Sequence, residues 1–162
     1  AIRAKGFSMN IIAFDPYIDE KFVKDQNIKV SSLEQIFKEA DFITLHLPVT
    51  KETEKMINRK AISKMKCNAI LINAARGKLV DEESLYEALV NREIAGAGLD
   101  VFEQEPPKNT PLFKLDNVVF TPHIGGHTQE ASELMAKTAI ENVVSYLKNN
   151  KCPFIVNKKY LE

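Results

Sequence analysis

The chain has 162 residues, 44% of them apolar, with 22 basic and 22 acidic side chains and a formal net charge of zero. That length supports one domain with a real core, and the balanced charge argues against a nucleic-acid or anionic-membrane surface. No apolar run approaches the ~20 residues of a membrane span. Cys67 and Cys152 lack metal-ligand spacing and read as reduced thiols, so the expected setting is cytoplasmic, with no metal.

Residues 1–6 read as the last turns of a helix, cationic and closed by Gly6 at its C-cap. A chain that opens inside a helix reads as truncated at its amino end. Residues 10–14 form a short apolar strand ended by Asp15-Pro16, since Pro16 cannot continue a central ladder and biases Asp15 away from helix. A brief helix over 19–25 and an edge-like strand over 28–30 follow. Ser31 and Glu34 make a capping box for a helix through Ala40. Residues 42–45 are the next strand, with His46-Leu47-Pro48 as its terminal loop. Residues 58–66 are helical, and the apolar run 69–72, bounded by polar residues, is a buried parallel strand. Asp81-Glu82-Glu83 start a helix with acids at the positive end of its dipole, and Leu85, Ala88 and Leu89 give it an apolar face. Residues 95–99 are a strand of small side chains, which points to a close backbone approach. A proline-bearing loop over 101–112 leads to a last strand, 118–120. A long helix over 128–148 carries Leu134, Ala136, Ile140, Val143, Val144 and Leu147 as candidate core contacts, with His127 as a surface residue before its start. Residues 152–156 form a short extended tail.

Strands and helices alternate, which predicts an α/β fold with a doubly wound parallel sheet and helices on both faces. In such sheets ligands sit at the carboxyl ends of the strands. Asn73-Ala74-Ala75-Arg76-Gly77 is a polar, glycine-containing loop at one such end. Glu105, beside Pro106 and Pro107, and His123 follow two others. Histidine is the usual acid/base near neutral pH, a carboxylate within reach fixes its tautomer, and arginine grips a substrate carboxylate at two points. Those roles suit oxidation of a 2-hydroxy acid: Arg76 anchors, His123 takes the hydroxyl proton, Glu105 supports the imidazolium. Each residue also has a bland reading as a loop arginine, a solvated acid or a turn histidine, and spacing alone leaves the choice open. Asp15 at a strand end is either a turn former before proline or the acid that accepts from the adenosine ribose of a dinucleotide. A G-x-G-x-x-G loop would then lie about 20 residues earlier, ahead of Ala1. In the strand order 3-2-1-4-5-6 residues 10–14 become the second strand and 42–45 the fourth. The expectation is therefore a Rossmann-like sheet lacking its first strand and glycine-rich loop.

Three segments carry a resemblance: 73–77, Leu99-Asp100-Val101-Phe102-Glu103-Gln104-Glu105-Pro106, and Thr121-Pro122-His123-Ile124-Gly125-Gly126. In order and wording they resemble the signature segments of the D-isomer-specific 2-hydroxyacid dehydrogenases, and the likeness runs from Ala1 to about Lys148. It implies NAD as cofactor and hydride transfer from the CH–OH carbon of a D-2-hydroxy acid, 3-phosphoglycerate being one candidate. It implies that Arg76 binds substrate and that Glu105 and His123 form the acid/base pair. Asp15, with Pro16 beside it, would hold the adenosine ribose, and an acid there favours NAD over NADP. His46, Pro48 and Thr53 resemble the family's adenosine-side segment; Ala74, Asp100, Gly125 and Gly126 resemble its nicotinamide-side contacts. Residues 1–150 would be the NAD-binding domain, incomplete at its start, and 151–162 a return segment towards an absent substrate lobe. The family's enzymes imply a small 2-hydroxy or 2-oxo acid as partner and a homodimer at full length; the missing first strand and glycine-rich loop imply little activity from this piece alone. An NAD-sensing interaction protein of the corepressor type and an inactive fragment are the competing readings.

Overall fold

A computed structural model of the chain describes residues 1–149, 152 and 154–156. The chain divides into two compact units, Ala1–His123 and Ile124–Glu162. In the first, helices and strands alternate: α1 (Ile2–Lys5), β1 (Ile12–Ala13), α2 (Glu20–Asp25), β2 (Lys29–Val30), α3 (Leu33–Glu39), β3 (Phe42–Leu45), α4 (Arg59–Ile62), β4 (Ile70–Asn73), α5 (Glu82–Val90), β5 (Gly96–Leu99) and β6 (Val118–Phe120). Single 3-10 turns lie at Gly77–Leu79 and Pro111–Lys114. The second unit contains the helix α6 (Gln129–Asn149).

Strands β3, β4, β5 and β6 form one parallel sheet in that order, and β1 pairs with β2 in a separate parallel sheet. This is the expected α/β architecture. No strand among the described residues bridges β1 and β3. Parallel pairing sets the register so that Ile43, Leu71, Ala97 and Val118 lie in one row across the sheet, and Leu45, Asn73, Leu99 and Phe120 in the next. These rows share a face, because side chains alternate along a strand. That face joins the core with Leu85, Ala88 and Leu89 of α5, Ile62 of α4 and Phe37 of α3. Each fully buried leucine or isoleucine of this kind contributes roughly 1.5–3 kcal/mol. On the opposite face Phe42 is 50% and Val119 71% exposed.

One small residue of β5, Gly96, has a steric reason. A Cβ on Gly96 would stand 2.7 Å from the carbonyl oxygen of Asn117, the group that accepts the Ala97 N–H at 3.1 Å.

Several expectations need correction. The cap of α3 is Ser32, whose hydroxyl accepts from the Gln35 N–H at 3.2 Å. Ser31 is committed elsewhere, its N–H donating to the Ala13 carbonyl at 2.9 Å and extending the β1–β2 ladder. The helix expected over 58–66 is α4 alone, starting from Asn58 as cap. Past Ile62 the bonds tighten, Lys64 N–H to Ala61 and Met65 N–H to Ile62, and the Ser63 hydroxyl bonds back to the Lys60 carbonyl; such back-bonding competes with helix propagation. Gly6 is the C-cap of α1, as expected, in a right-handed conformation, φ −59°, and Ser8 follows in a left-handed one, φ 57°. The candidate core contacts of α6 are exposed, Leu134 at 64%, Ile140 at 65% and Leu147 at 78%, and Ala136, Val143 and Val144 are exposed too. In the tail, residues 154 and 156 lie in turns where an extended segment was expected, and the rest of 150–162, apart from residues 152 and 155, lies outside the described residues.

Candidate active site

The site starts from Asn73, the last residue of β4, which is 1% exposed. Its side chain folds the following loop on itself: Nδ2 donates to the Arg76 carbonyl at 2.9 Å and Oδ1 accepts from the Ala75 N–H at 3.1 Å. Ala74 and Arg76 are thereby exposed at the carboxyl end of the strand. Gly77 is buried against the next loop, and a Cβ there would lie 1.9 Å from the Phe102 carbonyl carbon and oxygen. Only glycine allows the Arg76 loop to rest on that peptide.

Beyond β5, Asp100 is buried and accepts a hydrogen bond from the Thr121 hydroxyl. Glu105 Oε1 accepts from the Phe102 N–H at 3.1 Å, and Oε2 lies 2.7 Å from Nδ1 of His123. The hydrogen bond to His123 chiefly holds the Glu105 carboxyl below its ordinary value; burial opposes this, and the Phe102 N–H and the charges of His123 and Arg76 reinforce it. Glu105 is therefore a carboxylate at neutral pH and only accepts. Nδ1 must donate, and in the neutral ring Nε2 is left as a proton acceptor. His123 itself has φ 54°, a left-handed conformation that histidine tolerates better than most residues. Beside the pair lies a cavity of about 370 Å³. It is walled partly by Phe102, Phe113 and Phe120, whose ring centroids are 5.0, 5.8 and 5.9 Å apart.

Of the residues singled out in the sequence, Glu105 and His123 are brought into contact, and Asp100 lines the same cavity. Arg76 does not line it, yet its charge acts on Glu105. Pro48 and Thr53 belong to one loop, closed by the Thr53 hydroxyl donating to the Pro48 carbonyl at 2.8 Å; His46 Nε2 pairs with the Thr44 hydroxyl at 3.0 Å. Asp15 is exposed, and its carboxylate accepts from the Tyr17 N–H at 2.7 Å, so the turn it forms with Pro16 exists in the structure. Gly125 and Gly126 directly follow His123 and fall in the second unit. Sequence reasoning gave no site role to Lys55 or Glu103 and read Glu82 only as a helix-start acid; the three form a polar cluster behind the Arg76 and Glu105 loops. The glycine after Arg76 and the acid two residues before Glu105 were the available signals.

Parallel strands that deliver an arginine and a carboxylate–imidazole pair at their carboxyl ends have the layout of an α/β dinucleotide-binding oxidoreductase domain. The profile of the D-isomer specific 2-hydroxyacid dehydrogenase NAD binding domain matches residues 1–125, and the chain belongs to that family. It is 46% identical over 156 residues to a D-3-phosphoglycerate dehydrogenase of Methanocaldococcus jannaschii, covering 96% of this chain and 30% of that protein. It is 48% identical over 161 residues to a glyoxylate reductase of Thermococcus litoralis, covering 99% of this chain and 49% of that one. Among solved structures, it is similar to the NAD-complexed D-isomer specific 2-hydroxyacid dehydrogenase of Lactobacillus delbrueckii ssp. bulgaricus. That match has a TM-score of 0.87 and 32% identity, covering 97% of this chain and 52% of the other. A glyoxylate reductase from Paecilomyes thermophila matches with a TM-score of 0.89 and 30% identity over 98% of this chain and 48% of that one. The chain thus spans about half the length, or less, of the curated relatives it matches.

Proposed function

We propose that this chain is the NAD-binding and proton-transferring part of a dehydrogenase acting on a small D-2-hydroxy acid or the corresponding 2-oxo acid. The observation that carries the proposal is the Glu105–His123 pair at 2.7 Å, at the carboxyl ends of the same parallel sheet whose β4 loop presents Arg76. An NAD sensor would need neither the pair nor the arginine, so the pair favours the enzyme.

We infer that the residues present suit the cofactor at its two ends. Asp15 offers an exposed carboxylate just past β1, suited to ribose hydroxyls and hostile to a 2′-phosphate. His46, Pro48 and Thr53 would flank the adenosine side, and Ala74 and Asp100 the nicotinamide side. NAD supplies the hydride acceptor when bound. His123 Nε2 takes the hydroxyl proton in oxidation and returns it in reduction. Glu105 holds the ring in the tautomer that leaves Nε2 free and stabilises the charged ring once the proton has moved. Arg76 orients the acid through its carboxylate.

The substrate within this class is a matter for assay. 3-Phosphoglycerate and glyoxylate are the first candidates, since relatives are named for acting on them. Turnover is proposed to need the longer protein, because β1 and β3 each have an edge with no partner strand among the described residues. A homodimer in the cytoplasm is the proposed setting; among the described residues no helix is long and apolar enough to cross a membrane. The test is NADH oxidation with glyoxylate, hydroxypyruvate, pyruvate and 3-phosphohydroxypyruvate, using the protein extended to the length of its relatives. Turnover abolished in His123→Ala supports the proposal. NADH binding with no turnover on any 2-oxo acid overturns it.

A further inference from the structure

Two active-site loops meet behind the catalytic pair. Gly77, next to Arg76, is pressed on the Phe102–Glu103 peptide: its missing Cβ would come within 1.9 Å of the Phe102 carbonyl and 2.5 Å of the Glu103 nitrogen. The Phe102 N–H in turn holds Glu105 Oε1 at 3.1 Å. The junction is tied by a reciprocal pair. The Glu103 N–H donates to Glu82 Oε1 at 2.6 Å, and the Glu82 N–H donates to Glu103 Oε1 at 3.4 Å. Two carboxylates this close repel each other, and Lys55 offsets this, its Nζ lying 3.3 Å from Glu103 Oε1 and 2.7 Å from Asp81 Oδ1. Glu82 opens α5, so the junction is anchored on a helix whose Leu85, Ala88 and Leu89 are buried in the core.

We infer that Glu82 and Glu103, joined by their reciprocal N–H bonds, with Lys55 tying Glu103 to Asp81 and the Glu103 peptide resting on Gly77, are positioning residues that set Glu105, and through it the His123 ring, at a defined place relative to Arg76. The reason lies in the chain of contacts. Arg76 and Glu105 sit on separate loops after β4 and β5, and these contacts join the two loops directly behind the reacting groups. A displacement on the order of 1 Å at a catalytic group costs up to roughly 100-fold in rate, so a junction that removes such slack acts on catalysis without touching substrate.

The inference rests on the proposed roles of Glu105 and His123, and its test separates the two. Glu82→Ala removes the acceptor for the Glu103 N–H, Glu82→Gln keeps one in its amide oxygen, and the exposed neighbour Glu83→Ala is the control. In the 162-residue chain the Glu105 carboxyl carbon and the His123 ring nitrogens are followed by NMR across pH. Glu82→Ala should move the Glu105 midpoint up towards the ordinary carboxylate value and alter the ring-nitrogen shifts, while Glu82→Gln and Glu83→Ala match the wild type. In the longer protein, Glu82→Ala should lower kcat about 10-fold with the KM for NADH unchanged, and Glu82→Gln should restore it. Lys55→Met, at an exposed side chain, gives the same shifts in smaller measure if Glu82→Ala fails to fold. A folded variant, Glu82→Ala or Lys55→Met, with a wild-type Glu105 titration and wild-type His123 ring-nitrogen shifts overturns the inference whatever its activity. Altered titrations in a protein inactive on every 2-oxo acid would uphold the positioning and overturn the dehydrogenase reading instead.

Discussion

Glu105 uses both carboxylate oxygens, one on Nδ1 of His123 at 2.7 Å and one on the Phe102 N–H at 3.1 Å. Glu105→Gln keeps the shape and removes the charge that stabilises the protonated ring. The expected result is a fall in kcat of about 10²–10⁴-fold, with NADH affinity retained. The pH dependence follows from the sign of the shift. The Glu105 carboxyl is lowered from 4.5, so its favourable pairing is present above that value and is lost as pH falls through the lowered one. The side chains are 49% and 38% exposed, so solvent screens the pair and little of this should appear in stability. A pH titration of the carboxyl carbon checks the shift, and a midpoint at the ordinary value would contradict the pairing.

Among the described residues Arg76 Nη1 donates to the neighbouring Ala75 carbonyl at 2.6 Å, a bond that a lysine ammonium could also make. Arg76→Lys should therefore leave stability and NADH affinity nearly unchanged. It loses the two-point grip on a carboxylate, and KM for the 2-oxo acid should rise tenfold or more. Steady-state kinetics with each ligand varied in turn decides it; equal losses for cofactor and acid would refute the anchoring role.

Asn73 offers a stability test of the same loop. Asn73→Leu keeps the volume in the core and strips the partners from the Arg76 carbonyl and the Ala75 N–H. The expected cost is about 1–3 kcal/mol, the range for groups left unpaired, measured by urea unfolding. The affinity for the acid should fall as well, because Arg76 loses its template.

Much of this was legible in sequence because each feature had a local cause. The apolar run bounded by polar residues marked β4, and Asp81-Glu82-Glu83 marked the start of α5. The signature segments placed Glu105 and His123 together before any geometry was known. What escaped had causes elsewhere in the chain. Ser31 and Ser32 both sit three residues before a Glu or Gln, and tertiary placement decides between them, the Ser31 N–H extending the β1–β2 ladder while the Ser32 hydroxyl caps at Gln35. The apolar stripe of α6 is readable from periodicity, but periodicity carries no information on what covers it. Lys55 lies 26 residues from Asp81, a separation at which local pattern is silent.

Three glycines of the first unit give a final, ordered prediction. Gly77 and Gly96 both face backbone: a Cβ at Gly77 would lie 1.9 Å from Phe102 carbonyl atoms, and one at Gly96 2.7 Å from the Asn117 carbonyl oxygen. Backbone in a packed sheet or loop junction cannot rotate aside as a long side chain can. Gly77→Ala and Gly96→Ala should therefore cost about 1–3 kcal/mol or more, the range for overpacking, with Gly77 the worse of the two. At Gly98 the nearest atom is Ile72 Cγ1 at 4.0 Å, an ordinary contact. There the added methyl should fit, and the smaller entropy of the unfolded chain should stabilise by about 0.4–1 kcal/mol. The three variants bear on function differently too. Gly77→Ala should also disturb the Glu105 titration, because it pushes on the Phe102 peptide, whereas Gly96→Ala acts at the far end of β5 and should lower stability alone. Urea unfolding paired with the Glu105 carboxyl titration reads both effects. A Gly77→Ala chain as stable as wild type would mean that the Arg76 and Glu105 loops do not rest on each other.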